Sequence, residues 1–453
     1  MYSFLKVLNE YEQMILDAER HIWNNPETGY REYKTTEYLI SQFKKLGYEE
    51  KDIIRAENTT GFYTVVDTNK EGPTVLVLAE LDSLINANHP QCNPETKYVH
   101  NCGHHAQCAA MLGVAAALKK EEVLSKLCGK IKLCLVPAEE GIELAYRESL
   151  IKQGVIKYTS GKAEFISRGY FNDVDIAFMV HTNNLPSGKK FYLTKGHNGV
   201  IIKTITVKGK SAHAGEYPHR GINALNAANL MLLTINSLRE TFTESSFARV
   251  HSIITKGGDV VSAVPDEVKI ESYVRAADPI SHKKINDDVN RAISACAAAI
   301  GASVTICDLA GFEALNEDET LRNVALGVFE NLAGKDGYIY EGVWKSSSTD
   351  MGDISTLIPS IHCYVGGEIG AGHGTDFYIE DPYLACVESA KMQVALLYEL
   401  LTNNAQKAKE VIASYKPVFN SVEEYIKHKD SINMKKDCVT YNNDGTITLN
   451  FKK

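Results

Sequence analysis

Between His100 and Ala110 the chain reads His-Asn-Cys-Gly-His-His-Ala-Gln-Cys-Ala-Ala, which sets Cys102 and His104 two residues apart across a glycine. A thiolate and an imidazole are both good donors to a borderline transition metal. Gly103 lets the backbone turn tightly enough to aim the two side chains at one point. Alone, the spacing also suits a surface loop histidine and a small buried cysteine. Three other places raise the metal reading, each at the carboxyl end of an apolar run. Asp82 follows 74–79, Glu139 and Glu140 follow 131–136 through Pro137-Ala138, and His181 follows 176–180. Near-continuous apolar runs of this length are strands buried on both faces. Open α/β sheets hold their ligands beyond the carboxyl ends of such strands. Three strands that each end in metal-binding residue types point to one centre.

The elements that must position these residues follow from periodicity. Apolar residues at helical spacing (Leu5, Leu8, Tyr11, Ile15, Ala18, Ile22) predict a helix over 4–24, stopped by Asn25-Pro26. A second helix spans 34–46, strands follow at 61–66 and 74–79, and an alanine-rich helix leads from the Cys102 loop to 119. From 195 the pattern changes to strand 200–207, helix 221–239, strands 249–255 and 267–275, helix 281–300 and strand 303–308. That β-α-β-β-α-β order is a ferredoxin-like module. Its four-stranded sheet leaves an edge free for a second copy of the chain. The α/β pattern resumes at 313, with helix 319–332, strand 360–365, a glycine-rich loop carrying His373 and helix 382–402. Beyond 404 the chain is rich in lysine, with a short helix at 421–428 and a hairpin across Asn442-Asn443-Asp444-Gly445. The expected fold is α/β. A mainly parallel-sheet catalytic domain with helices on both faces takes 1–194 and 313–403, an inserted α+β ferredoxin-like lid and dimerisation domain takes 195–312, and 404–453 is a C-terminal extension.

Composition narrows the function classes. The 453 residues suit two or three domains, and 44% apolar with 23% charged residues is ordinary for a globular protein. The net charge of −9, with no basic run, argues against nucleic acid as a partner. No window approaches the roughly 18 apolar residues of a membrane span, and the N-terminus has no apolar signal core. The ten cysteines are scattered, as reduced thiols in a cytoplasm would be.

His21 followed by Pro26-Glu27-x-Gly29, Cys102-Gly-His104, Pro137-Ala-Glu139-Glu140, His181, Gly209-x-Ser-Ala-His213-Ala and Gly372-His373 occur in order along 1–402. Together they resemble the amidohydrolase branch of metallopeptidase family twenty, which includes hippurate, auxin-conjugate and aminobenzoyl-glutamate hydrolases. The resemblance implies two divalent metal ions, Zn or Mn, held by Cys102, His104, Glu140, His181 and His373. It implies Glu139 as the general base and His213, often supplied by the partner subunit, as the group that stabilises the oxyanion. Asp82 is expected to orient a ligand, Asn223 to line the same pocket, and Arg275 to hold a substrate carboxylate with its fork. Asp350 lies in a stretch closest to that of the aminobenzoyl-glutamate and dipeptide-cleaving members. The chain departs from the pattern at His105, where relatives have Asp, at Gln107, where they have His, and at Ala263, where they often have Asn. His105 is thereby a competing ligand.

The reading these residues imply is a cytoplasmic homodimer, joined through the lid domain, that cleaves the amide of N-acyl or N-aminoacyl amino acids or aminobenzoyl-glutamate-like conjugates. A dipeptidase or carboxypeptidase on the same dinuclear site is the alternative within the enzyme class. A non-catalytic binding protein on this scaffold is the alternative outside it.

Overall fold

All seven residues of the strand Thr74–Glu80 are buried, as a strand covered by helices on both faces requires. It lies inside an eight-stranded sheet. The strand order is Ile53–Arg55, Phe62–Asp67, Lys130–Val136, Thr74–Glu80, Ile176–Thr182, Ser360–Val365, Phe191–Leu193, Tyr338–Tyr340. The four strands from Lys130–Val136 to Ser360–Val365 run parallel. Antiparallel pairs occur only outside them, which makes the sheet mixed at its margins and parallel where the strand-end residues lie. The helix His104–Leu118 has no exposed residue. Its run of alanines and Gly113 lets neighbours approach closely: a Cβ at Gly113 would stand 2.7 Å from that of Ala390.

The computed structural model describes residues 2–451, which form two units. The sheet and its helices make one, built from Met1–Gly196, Asn316–Val343 and Asp353–Val422. The other comprises His197–Leu315, Trp344–Gly352 and Glu423–Lys453. Several elements differ from the periodicity reading. The opening helix is 3-10 over Ser3–Tyr11 before the α-helix Glu12–Trp23, and the closing one begins with a π-helical stretch, Tyr383–Glu388, before Ser389–Leu401. An apolar period near 3.6 does not distinguish these pairing schemes. The helices Leu144–Lys152 and Gly161–Ser167 were not foreseen.

In the second unit, strands Gly199–Lys208, Arg249–Lys256, Glu267–Ala276 and Ser303–Phe312 form one antiparallel sheet with helices Ala224–Leu238 and Pro279–Ile300 packed on it. This is the ferredoxin-like order, with one correction. A fifth strand, Met434–Asp437, pairs with Ser303–Phe312 and covers that edge, so the sheet ends in Arg249–Lys256 on one side and Met434–Asp437 on the other. Met434-Lys-Lys-Asp437 has no alternation to announce a strand. Its pairing comes from the partner it meets. The hairpin Val439–Tyr441 with Ile447–Leu449 forms as expected. No helix among the described residues is long and apolar enough to cross a membrane.

Beneath this sheet the Lys203 ammonium meets Asp308 and donates to Asn290 Oδ1 at 2.6 Å, while Asp308 Oδ2 accepts from Asn286 and Asn290 at 2.8 and 2.9 Å. Removing one partner strands a buried charge. Asp308→Leu is therefore expected to cost about 3–5 kcal/mol, read as a lowered denaturation midpoint. Adding Lys203→Met should recover most of the loss.

Candidate metal centre

Parallel pairing sends the ends of three adjacent strands to one side of the sheet, with Glu80 level with Val136 and Leu78 with Met179. Asp82, the Pro137–Gly141 loop and His181 follow from those ends. The Cys102 loop arrives through Gly103, whose φ of 97° is left-handed. A Cβ there would strike Thr182 Oγ1 at 2.2 Å, so both the conformation and the close approach require glycine.

The donor atoms converge in three groups, each within 4.8 Å: Cys102, His104 and His181; Cys102, Glu140 and His373; His104, Glu139 and Glu140. Cys102 belongs to the first two, so its thiolate could serve both. The spacings suit shared cations. Two nitrogen or oxygen donors on one tetrahedral Zn stand about 3.3 Å apart, and a thiolate and an imidazole about 3.5 Å. Cys102 Sγ lies 3.5 Å from His181 Nε2, and Glu140 Oε1 lies 3.2 Å from His373 Nε2. His104 Nε2 and Glu140 Oε1 are buried and make no well-aligned hydrogen bond, each meeting a charged neighbour at 3.2 Å (Glu80 and His373), an arrangement that a cation would satisfy. The residues fit a metal pair.

Their supports fix which atoms face inward. His104 Nδ1 donates to the Asp82 carbonyl at 2.8 Å and His181 Nδ1 to the Thr182 carbonyl at 2.8 Å, so in each ring Nε2 is the nitrogen that could face a metal. Asp82 Oδ2 accepts the Glu140 N–H at 2.9 Å. Asp82 thus orients two of the predicted ligands. His373 sits at a φ of 66°, and its N–H donates to the Asn101 carbonyl at 2.7 Å.

Electrostatics follow this geometry. Burial alone would push the Cys102 thiol up, yet the neighbouring His104 and His181 hold it well below the usual thiol range. Burial pushes Glu140 up to about 7, reinforced by Cys102. For His181, burial lowers the value but Cys102 raises it further, to about 9. His373 rises to about 11 through its contacts with Cys102 and Glu140.

His105 belongs to none of these donor groups. Its Nε2 faces Glu19 at 3.2 Å and its ring packs against Trp23. Gln107 makes a reciprocal pair with Glu80, donating to Oε2 at 2.9 Å and accepting the Glu80 N–H at 3.1 Å. Sequence reasoning missed Glu80, although it precedes Asp82 by two residues and extended chain places such residues on one face.

The remaining predicted residues lie in the second unit. His213 is exposed, and its Nδ1 accepts the Glu216 N–H at 3.0 Å. Asn223 caps the helix Ala224–Leu238, its Oδ1 accepting from Asn226 N–H at 3.0 Å. Arg275 donates to Ser348 Oγ at 2.8 Å and lies over the Tyr273 ring. Asp350 is fully buried, and Ala263 bridges to His213.

A donor set of this kind on this sheet is that of a metal-dependent hydrolase. Residues 194–299 match the model of the peptidase dimerisation domain of the M20 family. The chain is 29% identical over 330 residues to the Xaa-Arg dipeptidase of Mus musculus, covering 70% of this chain and 67% of that one. It is 24% identical over 407 residues to the hippurate hydrolase of Campylobacter jejuni, covering 87% and 98%. Among solved structures, a dinuclear metal binding peptidase of the M20 family from Bacillus subtilis shares the fold with a TM-score of 0.63 at 19% identity, over 86% of this chain and 98% of that one. The resemblance drawn from the motifs holds: homologues and structural neighbours are hydrolases and peptidases of the M20 family.

If Cys102 serves both cations, Cys102→Ala should lower bound metal from two ions to one or fewer per chain. Elemental analysis of the dialysed variant checks this, and undiminished metal would remove the shared thiolate.

Proposed function

We propose that the chain is a dinuclear amidohydrolase that cleaves the amide bond of N-acyl or N-aminoacyl amino acids or aminobenzoyl-glutamate-like conjugates. The observation that carries this reading is Cys102 shared between two three-donor groups, with the carboxylate of Glu139 beside them. Thiolate and imidazole donors favour Zn, with Mn as the other candidate. When bound, the cations supply Lewis acidity and bring the pKa of a water toward neutrality. Glu139 takes the proton of the attacking water and delivers it to the leaving nitrogen. Its loop is fixed from both sides: Glu32 Oε1 accepts the Ala138 N–H at 2.9 Å, and Asp82 accepts that of Glu140. With Nδ1 of His213 accepting from Glu216, the neutral ring carries its proton on Nε2, a donor for the oxyanion. Arg275, steadied by Ser348, is the proposed clamp for a substrate carboxylate.

A homodimer through the second unit is part of the proposal. The dimerisation-domain match supports it, as do Ile253 on the uncovered edge strand, 62% exposed, and Leu233 on the helix Ala224–Leu238, 65% exposed. The described cysteines form no disulfide, which supports a reducing, cytoplasmic setting. Similarity to the Xaa-Arg dipeptidase keeps a second reading, a dipeptidase on the same centre.

The test is a hydrolysis screen. Metal-stripped protein is reloaded with Zn, Mn or Co and offered N-acyl amino acids, aminobenzoyl-glutamate and dipeptides, with release of free amine followed. Cleavage of blocked substrates is expected, and activity confined to those with a free α-amine would make it a dipeptidase. No cleavage of any class by protein holding two metals would favour a binding protein. Glu139→Gln should keep its metal and lose about 10²–10⁴-fold in kcat, and retained turnover would dismiss it as the base. If His213 acts across the dimer, mixing Glu139→Gln with His213→Ala chains and allowing subunit exchange should restore part of the activity. No recovery would place its action within one chain or nowhere.

A further inference from the structure

The C-terminal extension has no part in the mechanism above, yet it closes a cavity of about 300 Å³ within the second unit, at the small end of the range for ligand sites. Strand pairing explains where that space lies. Asp308 stands opposite Lys203 on one side and Met434 on the other, so all three side chains leave the same face of the sheet. Ile201, two residues before Lys203, shares that face. The helix Pro279–Ile300 packs over it and sets His282, Asn286 and Asn290 one turn apart along one side. Ile432, Met434 and Phe451 then bring apolar surface from the extension, and Ile201 adds more from the sheet.

Two acceptors in this wall lack a donor. His282 Nε2 donates to the Val274 carbonyl at 2.8 Å, and since a carbonyl only accepts, the ring proton sits on Nε2. Burial holds His282 below the usual histidine value, which keeps Nδ1 bare, and among the described residues no group donates to it. Asn286 gives its Nδ2 to Asp308 Oδ2 at 2.8 Å, which leaves Oδ1 buried without a partner. Both residues line the cavity and are more than nine-tenths enclosed, at 5% and 7% exposure. Charge, by contrast, is already matched: Lys203 with Asp308, Lys283 with Asp287, and His428 with Glu313. The unmet demand is for hydrogen-bond donors rather than for an ion. We propose that the cavity is a binding site for a small neutral molecule that carries a primary amide head on an apolar body. The head donates to His282 Nδ1 and Asn286 Oδ1, and the body lies against Ile201, Ile432, Met434 and Phe451. The lining comes wholly from the second unit, whereas the proposed metal ligands belong to the first. The extension thereby acquires a role as the roof of a second ligand site.

The test titrates hexanamide into the full-length protein by calorimetry, with hexanoate and hexylammonium as charged comparators of the same length. Hexanamide should saturate a single site with a Kd of about 1 mM or below, and each ion should bind at least about 10-fold more weakly. Met434→Trp fills the cavity from the extension and leaves His282 and Asn286 in place. It should melt near wild type and lose the binding. Because tryptophan there can unsettle the pairing with Ser303–Phe312, a crystal structure of the wild-type protein grown with hexanamide gives a check that needs no variant. Its amide nitrogen should lie within hydrogen-bond distance of His282 Nδ1 and Asn286 Oδ1. Any one of four results would overturn the proposal: no saturable binding, an ion that binds as tightly as the amide, undiminished binding by folded Met434→Trp, or hexanamide bound only elsewhere, such as at the metal centre.

Discussion

Asp82 reaches two elements at once. Its carbonyl oxygen accepts from His104 Nδ1 at 2.8 Å, and its Oδ2 accepts from the Glu140 N–H at 2.9 Å. The first contact orients a proposed ligand at the start of the helix His104–Leu118, the second a proposed ligand on the loop after Lys130–Val136. Asp82 itself is placed by the strand Thr74–Glu80, buried along its whole length between those two elements. A shift of that strand would move both ligands together, so the sheet core and the centre are mechanically one object.

Around this point the protein buries several ionisable groups that a hydrophobic core would exclude. Lys162 with Glu80 and His105 with Glu19 are each almost fully enclosed. Glu32 is pushed up to about 8 by burial and by Asp82, yet still accepts from Thr60 and from the Ala138 N–H. Such groups rarely add net stability over apolar ones of similar size. What they supply is direction. Every one of them ends on a residue next to a proposed ligand or base, and each would be costly to leave unpaired, so the first layer of donors is held by a second that tolerates few alternatives.

How much of this was legible in the sequence depended on whether a residue's role was set locally. Asp82, Glu140 and His181 could be read because parallel pairing alone delivers strand ends to one side. His104 against His105 could not, since neighbouring residues at a helix start differ by about 100° in direction. Only the positions of Glu19 and Trp23 decide it. Gln107 looked like a lost histidine and proves to be the partner of Glu80. The strand Met434–Asp437 was invisible for a related reason: two lysines and an aspartate make an edge strand only when a partner such as Ser303–Phe312 is waiting. In the second unit, the motif singled out His213, but the tautomer that makes it a donor depends on the Glu216 amide.

The charge of the centre explains why so unusual a cluster is assembled at all. Cys102, Glu80, Asp82, Glu139 and Glu140 can all be anionic within one enclosed region, while Lys162 is the ammonium paired among them. Negative charge in such excess, away from water, must be neutralised by something positive. The histidines register that demand: Cys102 lifts His181 to about 9 against the effect of burial, and Cys102 with Glu140 lifts His373 to about 11. On a divalent cation the same anions would act with twice the charge. In the proposed centre a metal would thus be held by the buried carboxylates as much as by the thiolate and imidazoles, and the strand that ends in Glu80-Leu81-Asp82 contributes two of those carboxylates.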